Sequence, residues 1–399
     1  MAVDEAKTRK ILAQISEKEA VDVLRRLVQF KTVNPPGNEK DCAEYIAEYL
    51  SDAGAHVELL EREKNRPNVV AKMQGTDHST SLMLNGHIDV VAPSEGWSLD
   101  PFAGVEKNGR IYGRGASDMK SGVAASMVAT KALLESGVSL KGDLTFTAVA
   151  DEESLGPAGT RFLLEKGLRA DMGIVTEPTD LRIEVAQRGI LWLEVRVDGK
   201  AAHGGRPWLG ISAIYRMMDF LNALRELERQ LASKKHELVT SPSINVGTIE
   251  GGFRVNVVPD TCTIRIDRRL IPGETIEEAQ NEILQIFHHM KLKDPSMKET
   301  HRILVAAAPF EIPHEHPTIV ALERAARTVL GQTLPIAGKD AGTDAIWMVE
   351  AGIPTVMFGP GQYKASHTAD EYAEVGKLLS GTKVLALAAY DLLNGEKHE

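Results

Sequence analysis

Three short apolar runs separated by helical stretches constrain this chain more than any other feature. They are SLMLNG at 81–86, LTFTAVA at 144–150 and MGIVTE at 172–177. Runs of six or seven residues bounded by polar turns read as buried strands. Between the first two lies MKSGVAASMVATKALLE, a helix whose small residues allow close packing on a sheet. Upstream, EKDCAEYIAEYLSDAG carries Ala43, Ile46, Ala47 and Leu50 on one face, with Gly54 placed to end the helix. Strands separated by helices imply an α/β fold, its sheet mostly parallel and covered by helices on both faces.

The middle of the chain follows a different rule. ILWLEVRVD alternates Leu191, Leu193, Val195 and Val197 with Trp192, Glu194, Arg196 and Asp198, as a strand with one wet face does. A helix with an apolar stripe of Ile211, Ile214, Met218, Leu221 and Leu224 follows. Then come the strands SINVGTIEG and TCTIRIDRRL, a helix from Thr275 to about His289, and the run RILVAAA. The order βαββαβ is that of a ferredoxin-like unit. From about residue 310 helices and apolar runs alternate again, through HPTIVALERAARTVLG, TDAIWMVEAG, PTVMF and a last helix ending near Leu393. One α/β domain formed by 1–185 and 310–399, interrupted by an α+β insertion at 186–309, accounts for this pattern.

Charge and cysteine usage exclude several functions. With 46 Lys+Arg against 56 Asp+Glu the chain carries −10, which disfavours nucleic acid and anionic membrane as partners. No apolar run approaches the roughly 18 residues of a membrane span. The stretch MAVDEAKTRKILAQISEKEA lacks the apolar core of a secretory signal. Cys42 and Cys262 are too few for a disulfide framework or a cysteine-built metal site. A cytoplasmic protein is expected.

Five segments each end an apolar run with residues able to bind metal. In LMLNGHID, His87 and Asp89 stand two apart after a strand, so they share a face, and Asp89 can hold the imidazole's second nitrogen. In GRGASDMKSG, Asp118 precedes the small-residue helix, as a ligand or as its N-cap, and Gly113, Gly115 and Gly122 suggest close backbone approach. LTFTAVADEES places Asp151, Glu152 and Glu153 at a strand's mouth, where neighbouring acids repel unless a cation neutralises them. GIVTEPT adds Glu177, and ASHTADEY adds His367 after PTVMFGPG. Open α/β sheets bind ligands at their carboxyl edge. Two imidazoles and several carboxylates converging there suit zinc, or cobalt or manganese.

HIDVVAP, GRGASDMKSG, DEES, TEPT and SHTADEY, in this order and spacing, resemble the co-catalytic zinc amidohydrolases and peptidases. That group includes aminoacylase-1, carboxypeptidase G, acetylornithine deacetylase and succinyl-diaminopimelate desuccinylase, and the resemblance covers nearly the whole chain. It implies a zinc-peptidase catalytic domain, with the insertion as lid and dimerisation domain, and two divalent metals per chain. It implies that Asp118 bridges them, that His87 and Glu177 complete one shell, and that Glu153 and His367 complete the other. Glu152 is then the general base and Asp89 the partner of His87. In VDGKAAHGGRP, His203 matches the residue that reaches the partner subunit's site and steadies the oxyanion. Asn256 and Arg269 match substrate-carboxylate contacts, with Arg268 as the competing neighbour, since alternation lets only one of the two arginines face a given side. Gly342 and Thr343 resemble the family's carboxylate-binding turn.

The resemblance implies a homodimer that cleaves the amide bond of an N-acyl amino acid. The alternative is a dipeptidase or carboxypeptidase acting on small peptides, and the rival outside catalysis is a binder that has lost its metals. Glu rather than Asp at 177 favours the deacylase and carboxypeptidase side. His288 and His289 diverge on a helix, and the HEH of His314 and His316 reads as a solvated, Pro-bounded linker. Of Met217 and Met218, at least one is expected in the core.

Overall fold

The computed structural model describes residues 5–395; residues 1–4, where the N-terminal stretch MAVDEAKTRKILAQISEKEA begins, and 396–399 lie outside the described residues. Helices Glu5–Ala13 (α1), Glu17–Gln29 (α2) and Lys40–Asp52 (α3) precede strands His56–Glu61 (β1), Pro67–Met73 (β2) and Ser81–His87 (β3). The hairpin Val105–Lys107 (β4) and Arg110–Tyr112 (β5) leads to Ser121–Glu135 (α4) and Asp143–Val149 (β6). Thr160–Glu165 (α5), Met172–Val175 (β7) and Ile183–Gln187 (β8) follow. The insertion holds Gly189–Asp198 (β9), Ala213–Leu231 (α6), Ser243–Gly251 (β10), Thr261–Leu270 (β11), Ile276–Lys293 (α7) and Lys298–Ala307 (β12). The chain returns through Phe310–Glu311 (β13), Pro317–Leu330 (α8), Ile336–Lys339 (β14) and Ala345–Glu350 (α9). It ends with Thr355–Met357 (β15), Tyr372–Glu374 (β16) and Val375–Asn394 (α10).

These elements form two compact units. One comprises Met1–Val185, Ile312–Ala337 and Thr343–Glu399, and the other Ala186–Glu311 and Gly338–Gly342. The sheet of the first runs β1-β2-β6-β3-β7-β15-β8. Its centre is parallel, β3 beside β6 and β7, and β15 beside β7. Its flanks are antiparallel, β1 on β2, β2 on β6 and β15 on β8, so the sheet as a whole is mixed. Long helical crossovers force the parallel pairs, whereas the five-residue link between β1 and β2 permits a hairpin.

α4 lies among β3, α2 and α10, with every residue from Ser121 to Leu133 buried except Lys131. A helix apolar on all sides belongs inside a fold. Its small residues serve this depth: a Cβ at Gly122 would stand 1.8 Å from the carbonyl oxygen of Thr176.

The second unit is a four-stranded antiparallel sheet, β10-β11-β9-β12, with α6 and α7 packed on its apolar face. Leu193, Val195, Val197, Ile264 and Ile266 meet Met217, Phe220, Ile283 and Phe287 there, and the two phenylalanine rings stack at 4.1 Å. The stripe of α6 differs from the sequence reading. Ser212 caps the helix by accepting from the Tyr215 amide, so Ile211 falls outside it; Ala213, Met217, Phe220 and Leu224 are buried, and Ile214 and Leu221 pack against the same core. Met218 points out, 51% exposed. α7 begins with a capping box, Thr275 and Glu278 bonding reciprocally.

Candidate metal centre and active site

Parallel register gathers the candidate residues. His87 pairs with Val149 and Asn85 with Val175, so β3, β6 and β7 all end at one edge of the sheet. His87 is the last residue of β3, Glu152 and Glu153 follow β6, and Glu177 follows β7. Asp118 sits in an irregular turn before α4 with non-helical φ −114° and ψ 99°. It is not the helix cap: that position falls to Lys120, whose side chain makes no capping bond. The Asp118 carboxylate instead faces two imidazoles, Oδ1 at 3.3 Å from His87 Nε2 and Oδ2 at 3.4 Å from His367 Nε2. Glu153 Oε2 lies 3.1 Å from His367 Nε2, and Glu152 Oε2 lies 3.6 Å from His87 Nε2. Donor atoms of His87, Asp118 and Glu153 all fall within 4.8 Å of one another.

The Gly-rich turn carrying His367 fits between these segments because it lacks side chains. A Cβ at Gly359 would meet the Glu177 carbonyl at 2.4 Å, and one at Gly361 the Ser117 carbonyl at 2.3 Å. The glycines near Asp118 likewise answer to the protein's own packing. Gly113 would collide with Val28 and Gly115, at φ +81°, with Val90.

Hydrogen bonding orients His87 as a ligand would be oriented. Its Nδ1 donates to the backbone carbonyl of Asp89 at 2.9 Å, which turns Nε2 towards Asp118. The Asp89 carboxylate stands farther from the ring, at 3.6 Å. Its oxygens accept from the amides of Glu152 and Glu153, both at 3.2 Å, and from Asn34 Nδ2 at 2.8 Å. Asp89 therefore shapes the turn that carries both acids. Asp151, the first of the three acids, faces away from them. Its carboxylate is bound by Arg66 at 3.0 Å, and Arg66 also pairs with buried Glu39 at 2.9 Å.

Burial and crowding set the charges. Burial drives the Glu152 carboxyl well above the usual carboxylate range; His87 opposes this, and Glu177, Asp344 and Glu153 reinforce it. Burial disfavours a charged His87, yet Glu152, Asp118 and Asp89 outweigh it and raise the imidazole well above its ordinary value. The hydrogen bond that His367 donates to the Glu153 carboxylate raises His367 above its ordinary value. Buried carboxylates crowded around two imidazoles, with one ring held by its Nδ1 so that Nε2 faces Asp118, form a donor set that fits divalent metal.

Several supporting groups carried no signal in the sequence analysis. Burial lifts Asp344 to about 7, and its Oδ2 accepts from Thr160 at 2.7 Å. Glu371, also lifted by burial to about 7, accepts from the amides of Ser117 and Asp118. Its position four residues after His367, inside the SHTADEY run, was the available hint. Asn34, in NPPG, had none.

The remaining candidates lie as follows. In the inserted unit, His203 is exposed and its Nδ1 accepts from the Gly205 amide at 3.0 Å. Asn256 is exposed on the adjacent segment, its carbonyl accepting from the Gly204 amide at 2.8 Å. Arg268 is fully buried against the helices, paired with Glu274 at 3.0 Å and Glu282 at 3.2 Å. Arg269 lies on the opposite face of β11, paired with Asp267 at 2.9 Å, so alternation assigns Arg268 to the core. Gly342 ends the second unit's short segment. Thr343 is buried, its hydroxyl accepting from the Ala345 amide at 3.2 Å. His288 and His289 are exposed, their rings 6.1 Å apart. His316 departs from the linker reading, because its Nδ1 accepts from the Thr318 amide and caps α8.

A model of the peptidase family M20/M25/M40 matches residues 83–391, a span that includes every residue of the cluster. The chain belongs to this family. It is therefore a metal-dependent hydrolase of linear amide bonds, built as an α/β catalytic domain plus lid. It is 34% identical to an N-formyl-4-amino-5-aminomethyl-2-methylpyrimidine deformylase from Halalkalibacterium halodurans, over 96% of both chains. It is 32% identical to the acetylornithine deacetylase of Vibrio atlanticus, over 84% of this chain and 87% of that one. Among solved structures it resembles an aminopeptidase from Bacillus cereus, with TM-score 0.76, 22% identity and coverage of 95% and 99%. It also resembles a dinuclear metal-binding M20 peptidase from Bacillus subtilis, with TM-score 0.72, 17% identity and coverage of 94% and 98%. Among the described residues no helix is long and apolar enough to cross a membrane.

Proposed function

We propose that this M20 enzyme removes a small acyl group from an N-acylated amine, with N-acyl amino acids as the leading substrate class. The observation that carries this reading is the facing of the two Asp118 oxygens to different imidazoles, with buried Glu152 alongside. Asp118 would be shared by two divalent ions, zinc in the first instance, or cobalt or manganese. His87 and Glu177 would hold one ion, and Glu153 and His367 the other. Bound there, the metals would polarise the amide carbonyl and acidify a water.

The chain's own residues do the rest. Asp89 and Asn34 hold the turn that presents Glu152 and Glu153. Glu152, buried beside His87, takes the water's proton and delivers it to the leaving amine. His203 Nδ1 accepts from the Gly205 amide, which leaves Nε2 as the ring nitrogen able to donate to an oxyanion. We assign that donor to the partner subunit's site, and Asn256, Arg269, Gly342 and Thr343 to contacts with a substrate carboxylate.

Dimerisation through the inserted unit, the lid, is supported by its edge strand β10 and by exposed Tyr215, Met218 and Ile249. Free, buried Cys42 and Cys262 are consistent with a reducing, cytoplasmic setting.

The acylated amine has a second reading. The pyrimidine deformylase matches over 96% of both chains, which supports a formylated aminomethyl heterocycle beside N-acyl amino acids. The test is a panel of N-formyl, N-acetyl and N-succinyl amino acids, the N-formyl aminomethylpyrimidine and free dipeptides, assayed with zinc, cobalt or manganese. Turnover of blocked amines over free dipeptides is expected. Preference for dipeptides would overturn the deacylase reading, and absence of both metal binding and turnover would favour the binder.

A further inference from the structure

The buried acid Glu371 does work that none of these roles includes. Its Oε1 accepts from the amides of Ser117 and Asp118, each at 2.9 Å, while Oε2 pairs with the buried guanidinium of Arg114. Its own backbone carbonyl accepts from the Gly113 amide at 2.9 Å. On the same loop, the Gln362 carbonyl accepts from the Ser117 hydroxyl at 2.9 Å. The segment carrying His367 therefore grips the segment carrying Asp118 from several sides. The grip answers a physical need. The turn at Asp118 is not helical, and buried amides without a helical or sheet partner require another acceptor. A carboxylate supplies two, and Arg114 balances its charge.

We propose that Glu371 is a positioning residue that keeps Asp118 aimed at both imidazoles, so that the two metal positions fill together. The inference rests on the reading of Asp118 as the shared ligand. Groups one step behind the ligands of a metal site typically change affinity by about 10–100-fold when removed.

The test is cobalt titration of the metal-free protein, followed by calorimetry and visible absorption, for wild type, E371A and E371Q. E274Q serves as control, because it breaks a buried ion pair inside the inserted unit. Wild type and E274Q are expected to bind two cobalt ions per chain with equal affinity, although E274Q unfolds at lower temperature. E371A is expected to lose at least tenfold in affinity for the second ion and to change the cobalt absorption, with E371Q between. Folded E371A with wild-type affinity for both ions would overturn the inference. Should E371A fail to fold, unchanged affinity in E371Q would overturn it equally. A wild type that binds no cobalt would refute the metal reading of Asp118 itself, a separate failure.

Discussion

Alanine at Gly122 would place a methyl carbon 1.8 Å from the Thr176 carbonyl oxygen, where a carbon–oxygen contact settles at about 3.3 Å. The start of α4 and the end of β7 must then part by about 1.5 Å, because the obstacle is backbone and cannot rotate aside. Overpacking of this kind costs about 1–3 kcal/mol, and the upper end applies here. Helix propensity opposes it, since alanine is favoured over glycine by about 1 kcal/mol. A net loss of about 2 kcal/mol is expected from urea unfolding.

The site should suffer more than the fold. Gly122 lies four residues after Asp118 and Thr176 directly precedes Glu177, so the displacement separates two proposed ligands. Misplacement by about 1 Å can cost on the order of 10²-fold in rate. Turnover of the best panel substrate, measured where the variant remains folded, should fall by about that factor. Gly376→Ala is the matched control: that glycine opens α10 with nothing within 4 Å. It should gain up to about 1 kcal/mol and keep full activity. A Gly122→Ala protein as stable and as active as wild type would mean that the start of α4 does not lie against the Thr176 carbonyl as described.

Further outcomes follow from the same geometry. Glu152→Gln should retain two metals by elemental analysis while kcat falls by about 10²–10⁴-fold. Arg268→Met removes one of the two cations on Glu274, leaving Lys234 at 2.6 Å, and should cost less by urea unfolding than the about 3–5 kcal/mol of an uncompensated buried charge. Arg269→Met breaks only a partly exposed pair and should cost about 0–1 kcal/mol, with any effect on catalysis appearing in KM. Burial alone would raise the Glu274 pKa, but Arg268 and Lys234 hold it below its ordinary 4.5. Its contribution is thus complete above pH 4.5 and is lost as pH falls through the lower folded value; Glu274→Gln should flatten that acid limb in thermal unfolding. His203→Ala and Glu152→Gln proteins, each nearly inactive, should regain activity as mixed dimers; no recovery after verified exchange would remove the shared site.

Local chemistry explains why some features were legible in the sequence alone. Strand alternation in ILWLEVRVD and the helix starting near Thr275 depend on neighbours a few residues apart. The stripe of α6 keeps Ile214, Leu221 and Leu224 but loses Ile211, because the cap is Ser212 and a periodicity search includes Ile211 whether or not it is helical. His316 looked like linker because a capping histidine is uncommon beside Ser, Thr, Asp and Asn. Asp118 left two roles open. Its irregular turn, held by Glu371 from 253 residues away, excludes the cap.

The order of apolar runs and their period already dictated strands with helical crossovers, an inserted α+β unit, and strand ends bearing histidines and acids. Those properties reside in short windows, where propensity and alternation act directly on the chain. Folding alone chose which acid of Asp151, Glu152 and Glu153 turns towards Arg66 and which towards the imidazoles. It likewise chose Arg268 for the core and Arg269 for the open face. These choices turn on burial of charge against partners far off along the chain, or across a sheet, and no local pattern encodes the cost of leaving such a charge unpaired.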